Sequence, residues 1–403
     1  MDRLYSHLLK QHIEDFDQSV FLAGPRQVGK TTVSKTAKTL TGHFSYYNWD
    51  VTADRETLLD GQSRIIESVK QDARAKDDKP IIVLDEIHKM PDWKNYIKGI
   101  YDSTKGEAEL IVTGSTHLDV YRKSQDSLMG RYFPYTVHPL SVAEILDTTL
   151  PKNEIRQPSK IDDEAFDALL EFGGFPEPFI KQSENFSRRW QKLRSEQLFR
   201  EDIMDLTNIK NIAGLETLAL LLRHQVGGVL NRSNLAKKLQ VTVNTVQSWI
   251  STLEQFYHCF LITPWAKNVT RSLIKEPKPY LWDWSIIEDK GAGAENFIAA
   301  HLLKAVNFWN DTGMGDYSLH FLRDKDKREV DFVVTKDQKA WFLVEVKSSK
   351  KAKLSENLAY FQKQTGAKHA FQVTMDGEYI DRDVFDYEEP VIVPAKTFLS
   401  QLV

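Results

Sequence analysis

A chain of 403 residues with a single cysteine, Cys259, can build neither an internal disulfide framework nor a four-cysteine zinc site. Its 41% hydrophobic and 27% charged residues suit a soluble protein of about two to four globular domains. The net charge of -4 provides no overall basic field, so any surface for nucleic acid must be local. The start, Met1-Asp2-Arg3-Leu4-Tyr5, lacks a basic region followed by an apolar run. No apolar stretch nears the roughly 18 residues a membrane span needs. The expectation is a cytoplasmic, multi-domain, α/β-rich protein with no membrane partner.

The first segment alternates strands and helices. Ser19 to Ala23 reads as a strand and Lys30 to Leu40 as a helix. Phe44 to Trp49 is aromatic and strand-like, and Ile65 to Ala75 looks helical. Ile81 to Leu84 is a short apolar run of the kind buried on both faces of a parallel sheet. Trp93 to Thr104 has helical spacing, and Leu110 to Thr113 and Tyr132 to Val137 read as further strands. Such alternation predicts a mostly parallel sheet covered on both faces. Pro151 to Lys160 is polar and ends this first domain. Asp162 to Arg200 is mostly helical, Gly214 to Trp265 carries a three-helix pattern, and Pro264 to Pro279 is loop-like and basic. A last α/β unit runs from about Tyr280 to the end.

Gly24-Pro25-Arg26-Gln27-Val28-Gly29-Lys30-Thr31 fits the pattern of glycine, four residues, then Gly-Lys-Ser/Thr. Glycines let the backbone turn so that its N–H groups converge on phosphate oxygens, and the helix that opens after Gly29 and runs through Thr32 adds its positive end. Lys30 would reach the β- and γ-phosphates, and Thr31 would hold Mg²⁺. A strand before and a helix after supply the required context. Asp85 and Glu86 end the apolar run Ile81 to Leu84, where ligands bind in open α/β sheets. Asp85 would hold Mg²⁺, and Glu86 would orient or deprotonate the attacking water. A guanine-reading Asn-Lys-x-Asp is not found, so ATP is preferred. Ser115 or Thr116 would sense the γ-phosphate, or else form a turn that caps the strand. Arg131 would stabilise charge on a neighbour's nucleotide, or else is a surface arginine.

With Leu84-Asp85-Glu86-Ile87-His88, Thr113-Gly114-Ser115, Ser127-Leu128-Met129-Gly130-Arg131, Pro139-Leu140-Ser141-Val142-Ala143-Glu144 and Gly173-Gly174-Phe175-Pro176-Glu177, this order of motifs resembles a prokaryotic group. It looks like the AAA+ ATPases that carry a C-terminal domain of unknown function, the AAA_14/DUF4143 group. It is also similar to archaeal ATPases of like architecture. The resemblance implies an AAA+ core, a helical lid, a winged helix and a restriction-endonuclease-like α/β domain. These would occupy residues 1–150, 151–210, 211–279 and 280–403. A ring of subunits would follow if Arg131 acts between copies.

Leu235 to Leu239 and Val246 to Leu253 have the spacing of a helix-turn-helix, with Thr242 as N-cap of the second helix and Ser233-Asn234 at the start of the first. The outward residues Asn244, Gln247, Ser248 and Ser251 are polar but uncharged, whereas phosphate contacts dominate DNA affinity. Lys267, Arg271, Lys275 and Lys278 would form a basic wing; packing between domains is the other reading. In the last unit Asp331 and the pair Glu345 and Lys347 lie on adjacent strand-like segments joined by a turn at Lys336 to Lys339. Period two puts Glu345 and Lys347 on one face, with Asp331 opposite Glu345 within about one register step. Glu295 lies on a helix beginning near Gly293. Together these resemble the PD-(D/E)xK nuclease signature. That resemblance implies Mg²⁺ on Asp331 and Glu345, with Lys347 activating a water. The alternative is a nuclease-like fold kept for binding.

Overall fold

The computed structural model describes residues 1–73, 79–115, 128–265 and 276–403, without the side chains of 71–73. Thr116 and Ser127, and Lys267, Arg271 and Lys275 of the expected basic wing, lie outside the described residues. The chain divides into two compact units, Met1–His138 with Thr148–Leu150, and Pro139–Asp147 with Pro151–Val403. No helix among the described residues is long and apolar enough to cross a membrane.

Unit one contains α1 (Leu4–Asp15), β1 (Ser19–Ala23), α2 (Lys30–Thr36), β2 (Phe44–Asn48), α3 (Thr52–Leu59), α4 (Gln62–Ala73), β3 (Ile81–Asp85), α5 (Trp93–Thr104), β4 (Glu109–Gly114) and β5 (Tyr132–Thr136). The strands form a five-stranded sheet in the order β2-β3-β4-β1-β5, and every pairing is parallel. Parallel strands covered on both faces must be apolar throughout. Accordingly β1, β3 and β4 are buried at every residue. Ile82, Leu84 and Val112 pack with Ile97 and Ile100 of α5 and Ile65 of α4 on one face. The register aligns Ala23 with Gly114 and Leu84 with Val112, so the C-terminal ends of the three central strands come level. That edge is where the Gly24–Gly29 loop, Glu86 and Ser115 emerge.

Unit two begins with α6 (Val142–Leu146) and continues through α7 (Asp163–Phe172), α8 (Pro176–Lys181), α9 (Glu184–Gln197), a π-helical turn (Leu198–Ile203) and α10 (Met204–Leu206). Then come α11 (Ile212–Arg223), α12 (Arg232–Leu239) and α13 (Val243–Gln255). As the spacing predicts, Thr242 caps α13, accepting from Thr245 N; α12 starts earlier than expected, at Arg232, with Asn231 as its cap. Asn244, Gln247 and Ser248 are exposed on α13, and Lys237 and Lys238 are exposed on α12.

After α13 the three-helix pattern gives way to a strand, β6 (Cys259–Pro264), paired antiparallel with β7 (Lys278–Leu281). Both belong to a seven-stranded sheet, β12-β11-β10-β9-β8-β6-β7. Its other members are β8 (Tyr317–Arg323), β9 (Glu329–Lys336), β10 (Lys339–Lys347), β11 (His369–Thr374) and β12 (Val391–Pro394), with helices α14 (Lys290–Asp311), α15 (Glu356–Thr365) and α16 (Ala395–Ser400). A boundary at 280 therefore falls inside β7. The four residues of Lys278-Pro279-Tyr280-Leu281 show no period, which is why they read as loop.

This also corrects Lys278. It was expected in a solvated basic wing, but it is 1% exposed. Two carboxylates hold its ammonium: Glu329 at 2.5 Å and Glu295 at 3.5 Å.

The two sequence motifs without evident chemistry are packing devices of unit two. A Cβ on Gly174 would lie 2.5 Å from the Trp284 ring and 2.6 Å from Leu140 O, so only glycine fits there. Leu140 N–H in turn donates to Gly174 O at 2.7 Å. Ser141 Oγ accepts from Glu144 N at 3.2 Å and donates to Val403 O at 2.7 Å.

Candidate functional site

The loop after β1 turns at Gly24 (φ 148°), Gln27 (φ 62°) and Gly29 (φ 103°). A Cβ at Gly24 would meet Val137 O at 2.4 Å, so the first glycine is fixed by close backbone approach as well as by φ. Within the loop Gly24, Pro25 and Val28 are buried, Arg26 and Gly29 are half-buried, and Gln27 is exposed. Lys30 opens α2 and is 5% exposed. Its Nζ donates to Gly24 O at 2.9 Å, Pro25 O at 2.8 Å and Ser115 Oγ at 3.3 Å. An ammonium aimed across the loop mouth lies where a phosphate chain would compete for its donors. Thr32 is exposed on the first turn of α2.

The strand ends supply the acids. Asp85 is 1% exposed. Its Oδ2 accepts from Thr31 Oγ1 at 2.8 Å and from the Tyr46 hydroxyl of β2, while its Oδ1 accepts from Thr113 Oγ1. Burial and the neighbouring Asp85 charge push the Tyr46 phenol well above its ordinary range, so it stays a donor. Glu86 takes a left-handed conformation (φ 56°), which turns it out of the strand. Its N–H donates to Thr113 Oγ1 at 3.2 Å and its Oε1 accepts from Ser115 Oγ at 2.6 Å. Burial alone would raise the Glu86 carboxyl; the Lys30 ammonium and the Ser115 hydrogen bond outweigh burial and hold it below the usual glutamate range. Its Oε2 is buried without a hydrogen-bond partner. His88, pushed down to about 4 by burial, is neutral beside it, with Nε2 3.8 Å from that oxygen. Lys30, Thr31, Asp85, Glu86 and Ser115 thus converge at one edge of the sheet.

Arg131 is not part of that convergence. It immediately precedes β5, and Tyr132 aligns with Ser19 at the start of β1, at the other end of the sheet from the loop. There it makes a bidentate pair with Asp102, Nε to Oδ1 at 2.8 Å and Nη2 to Oδ2 at 3.2 Å. Two residues of the loop's surroundings are not legible in the sequence. Tyr46 is one. Arg3 is the other: 3% exposed, it donates to Val28 O at 2.5 Å and to His138 O at 2.7 Å, clamping the loop from beneath.

In unit two Phe332 pairs with Val344, which carries Asp331 to the level of Glu345, as the hairpin reading expects. Asp331 Oδ2 accepts from Val346 N at 2.8 Å, and Lys347 Nζ donates to Glu345 Oε1 at 2.7 Å. The helix carrying Glu295 begins at Lys290, earlier than expected, capped by Asp289. Burial and the charge of Asp331 push Glu295 up to about 7. Three carboxyls, Glu295, Asp331 and Glu345, are thus brought into one electrostatic cluster. Among the described residues, however, no three His, Cys, Asp or Glu side chains are placed to hold a metal ion. The cluster includes Lys278, Tyr280 and Glu329, which the motif search missed because they come from β7 and the start of β9.

The parallel sheet, the loop and the acidic strand end define an AAA+ ATPase-like fold. Family models agree: one described as an AAA domain matches residues 17–146, and one described as domain of unknown function DUF4143 matches 290–394. A third model, described as domain of unknown function DUF8612, matches 163–290. The chain therefore has the architecture of an AAA+ ATPase with a C-terminal DUF4143 domain. It is 24% identical over 268 residues to an uncharacterized protein of Mycobacterium tuberculosis, covering 66% of this chain and 55% of that one. It is 22% identical to an uncharacterized protein of Methanocaldococcus jannaschii, covering 64% and 59%. The chain thus spans a little over half the length of these relatives. A third, from Haemophilus influenzae, is 20% identical over 81% of this chain and 79% of its own. Among solved structures, a Walker-type ATPase of Pyrococcus abyssi covers 69% of this chain and 92% of its own at 12% identity and a TM-score of 0.42.

Proposed function

We propose that this protein binds ATP with Mg²⁺ and hydrolyses it at the edge formed by Gly24 to Thr32, Asp85, Glu86 and Ser115. The observation that carries the reading is Glu86, a half-buried carboxylate at the strand end with one oxygen tied to Ser115 and the other without a hydrogen-bond partner. The loop N–H groups would cradle the phosphates, and Lys30 would move from the loop carbonyls to the β- and γ-phosphates. Thr31 and Asp85, already 2.8 Å apart, fit a shared Mg²⁺; when bound, the ion neutralises charge on the phosphate oxygens. Glu86 would take the proton of the attacking water, and Ser115 would hold its orientation. Arg131 would serve only a second copy of the chain. Lys30→Ala removes a charge-assisted contact worth about 1.5–3 kcal/mol, so ATP affinity is expected to fall about tenfold to a hundredfold. Titration with a fluorescent ATP analogue reads this directly; unchanged affinity would remove Lys30 from the site.

What the engine moves is a separate matter. In one reading α12 and α13 form the helix-turn-helix of a winged helix that engages DNA, and a PD-(D/E)xK nuclease-like domain cuts it. Lys237, Lys238, Asn244 and Gln247 are exposed there and would touch the duplex. This reading expects salt-sensitive duplex binding and Mg²⁺- or Mn²⁺-dependent plasmid nicking that Asp331→Ala abolishes. If wild type neither binds nor nicks, the reading fails. The second reading is an ATP-driven switch for a protein partner, with a non-catalytic nuclease-like domain. The hydrogen bonds and ion pairs already made by one oxygen each of Asp331, Glu345 and Glu295 favour it.

A further inference from the structure

Tyr46 reaches the first acid of the nucleotide site from a strand that neither motif includes. β2 and β3 run parallel, with Tyr46 opposite Val83 and Asn48 opposite Asp85. Period two therefore puts Tyr46, Val83 and Asp85 on one face of the sheet. Tyr47 lies on the other, where it packs against the cluster of Ile82, Leu84 and Ile97. Two residues along a strand and one strand across make a diagonal of about 8 Å between Cα atoms. A long side chain that leans along the strand and ends in a hydroxyl spans that step. Tyr46 does so: half-buried, it donates to Asp85 Oδ2. Its ring is held from α2 as well, because Lys35 Nζ, one turn after Thr31, lies 4.4 Å from the ring centroid.

Asp85 is 1% exposed, so its carboxylate depends on protein donors. Three hydroxyls supply them: Thr113 on Oδ1, and Thr31 and Tyr46 on Oδ2, with the Thr31 contact at 2.8 Å. They come from β4, α2 and β2 and pin both oxygens. The three are not equivalent. Thr31 belongs to the metal site itself, and a hydroxyl whose oxygen turns to an ion keeps only its hydrogen for the carboxylate. Thr113 also accepts the Glu86 N–H at 3.2 Å. Tyr46 comes from outside the loop and the strand ends, and its hydrogen bond fixes Oδ2 whatever Thr31 binds. A ligand carboxylate already oriented by outer donors loses less freedom when an ion arrives, which is why such partners contribute to metal affinity.

We infer that Tyr46 is a positioning residue for Mg²⁺: its hydroxyl holds Asp85 Oδ2 in the orientation that the ion meets, so that β2 contributes to a site otherwise built from the loop and the strand ends. This rests on the reading of Gly24 to Thr32 with Asp85 as a site for ATP and Mg²⁺. Tyr46 acts through Asp85 and not on the phosphates, so its effect is confined to the metal-dependent part of nucleotide binding.

The test is titration of the full chain with a fluorescent ATP analogue, first in EDTA and then over a range of Mg²⁺ concentrations. Tyr46→Phe keeps the ring and its contact with Lys35 and removes one hydroxyl. It is expected to bind the analogue in EDTA like wild type. It should need about tenfold to a hundredfold more Mg²⁺ to reach the tight complex, the range that outer partners of a metal ligand contribute. Asp85→Asn should lose most of the Mg²⁺ response, and adding Tyr46→Phe to it should change nothing further, because residues that act through one another do not add. Equal Mg²⁺ dependence in Tyr46→Phe and wild type overturns the inference. So does a tighter Mg²⁺ response, which would make the hydroxyl a competitor of the ion. An equal loss of affinity in EDTA and in Mg²⁺ overturns it too, since Tyr46 would then serve the fold alone. If wild type itself shows no Mg²⁺ response, the reading of an ATP and Mg²⁺ site fails and the inference falls with it, so wild type alone tells the two failures apart.

Discussion

The Glu86→Gln protein is expected to bind ATP like wild type and to hydrolyse it about 10²- to 10⁴-fold more slowly, the range a positioned general base commonly contributes. The side chain is near the same size, and its oxygen still accepts from Ser115 Oγ, which lies 2.6 Å from Oε1 in the native protein. What disappears is the charge that receives a proton. An amide cannot accept one, so the step slows while the phosphate contacts of the loop and Lys30 persist. Burial would raise the carboxyl, but Lys30 and Ser115 hold it below the usual range. It is therefore ionised throughout neutral pH, and the acid limb of the wild-type rate should lie below the ordinary glutamate range. Single-turnover hydrolysis alongside equilibrium binding of ATP separates the two effects. Equal hydrolysis by both proteins would end the role assigned to Glu86 and shift it to another group.

How much of this was legible depends on whether a function is written in one stretch of chain. Gly24 to Thr32 is contiguous, and its demands on φ and on N–H groups appear as glycines and a lysine at fixed spacing. Asp85 and Glu86 end an unbroken apolar run, which marks a strand buried on both faces and hence its ligand end. By contrast Tyr46 acts on Asp85 from a neighbouring strand, and Arg3 acts on Val28 from ahead of α1. No period or spacing connects such residues before the sheet forms. The C-terminal unit shows the same limit more sharply. Asp331, Glu345 and Lys347 are local and readable. Lys278 lies far upstream, in a four-residue strand containing proline, and its nearest lysines and arginines suggest a solvated surface. Only the pairing of β6 with β7, and of β6 with β8, carries it into the buried cluster. The motifs Pro139 to Glu144 and Gly173 to Glu177 are readable as motifs, but their reason is packing, which requires Trp284 and Val403 to be in place.

Lys304→Met should destabilise unit two by about 3–5 kcal/mol, the usual cost of stranding one member of a buried ion pair. Lys304 and Glu144 are each 1% exposed, and the lysine Nζ donates to the Glu144 carboxylate and, at 3.2 Å, to Pro139 O. Glu144 sits on α6 and Lys304 on α14, so the pair ties the first helix of the unit to its longest one. One turn earlier on α14, His301 completes the joint: Nε2 accepts from Val142 N at 3.1 Å and Nδ1 donates to Phe297 O at 2.8 Å. Burial pushes His301 down to about 3, so it is neutral and can accept. Methionine fills the lysine's volume but offers no charge, leaving the glutamate to be protonated or to open the joint to water. The double change Glu144→Leu with Lys304→Met should recover most of the loss, because burying two apolar side chains carries no desolvation cost. The shift in the urea midpoint of the unit-two transition measures both proteins. A single mutant within about 1 kcal/mol of wild type would mean that water reaches Glu144 and that the pair is not sealed, since exposed pairs contribute about that much or less.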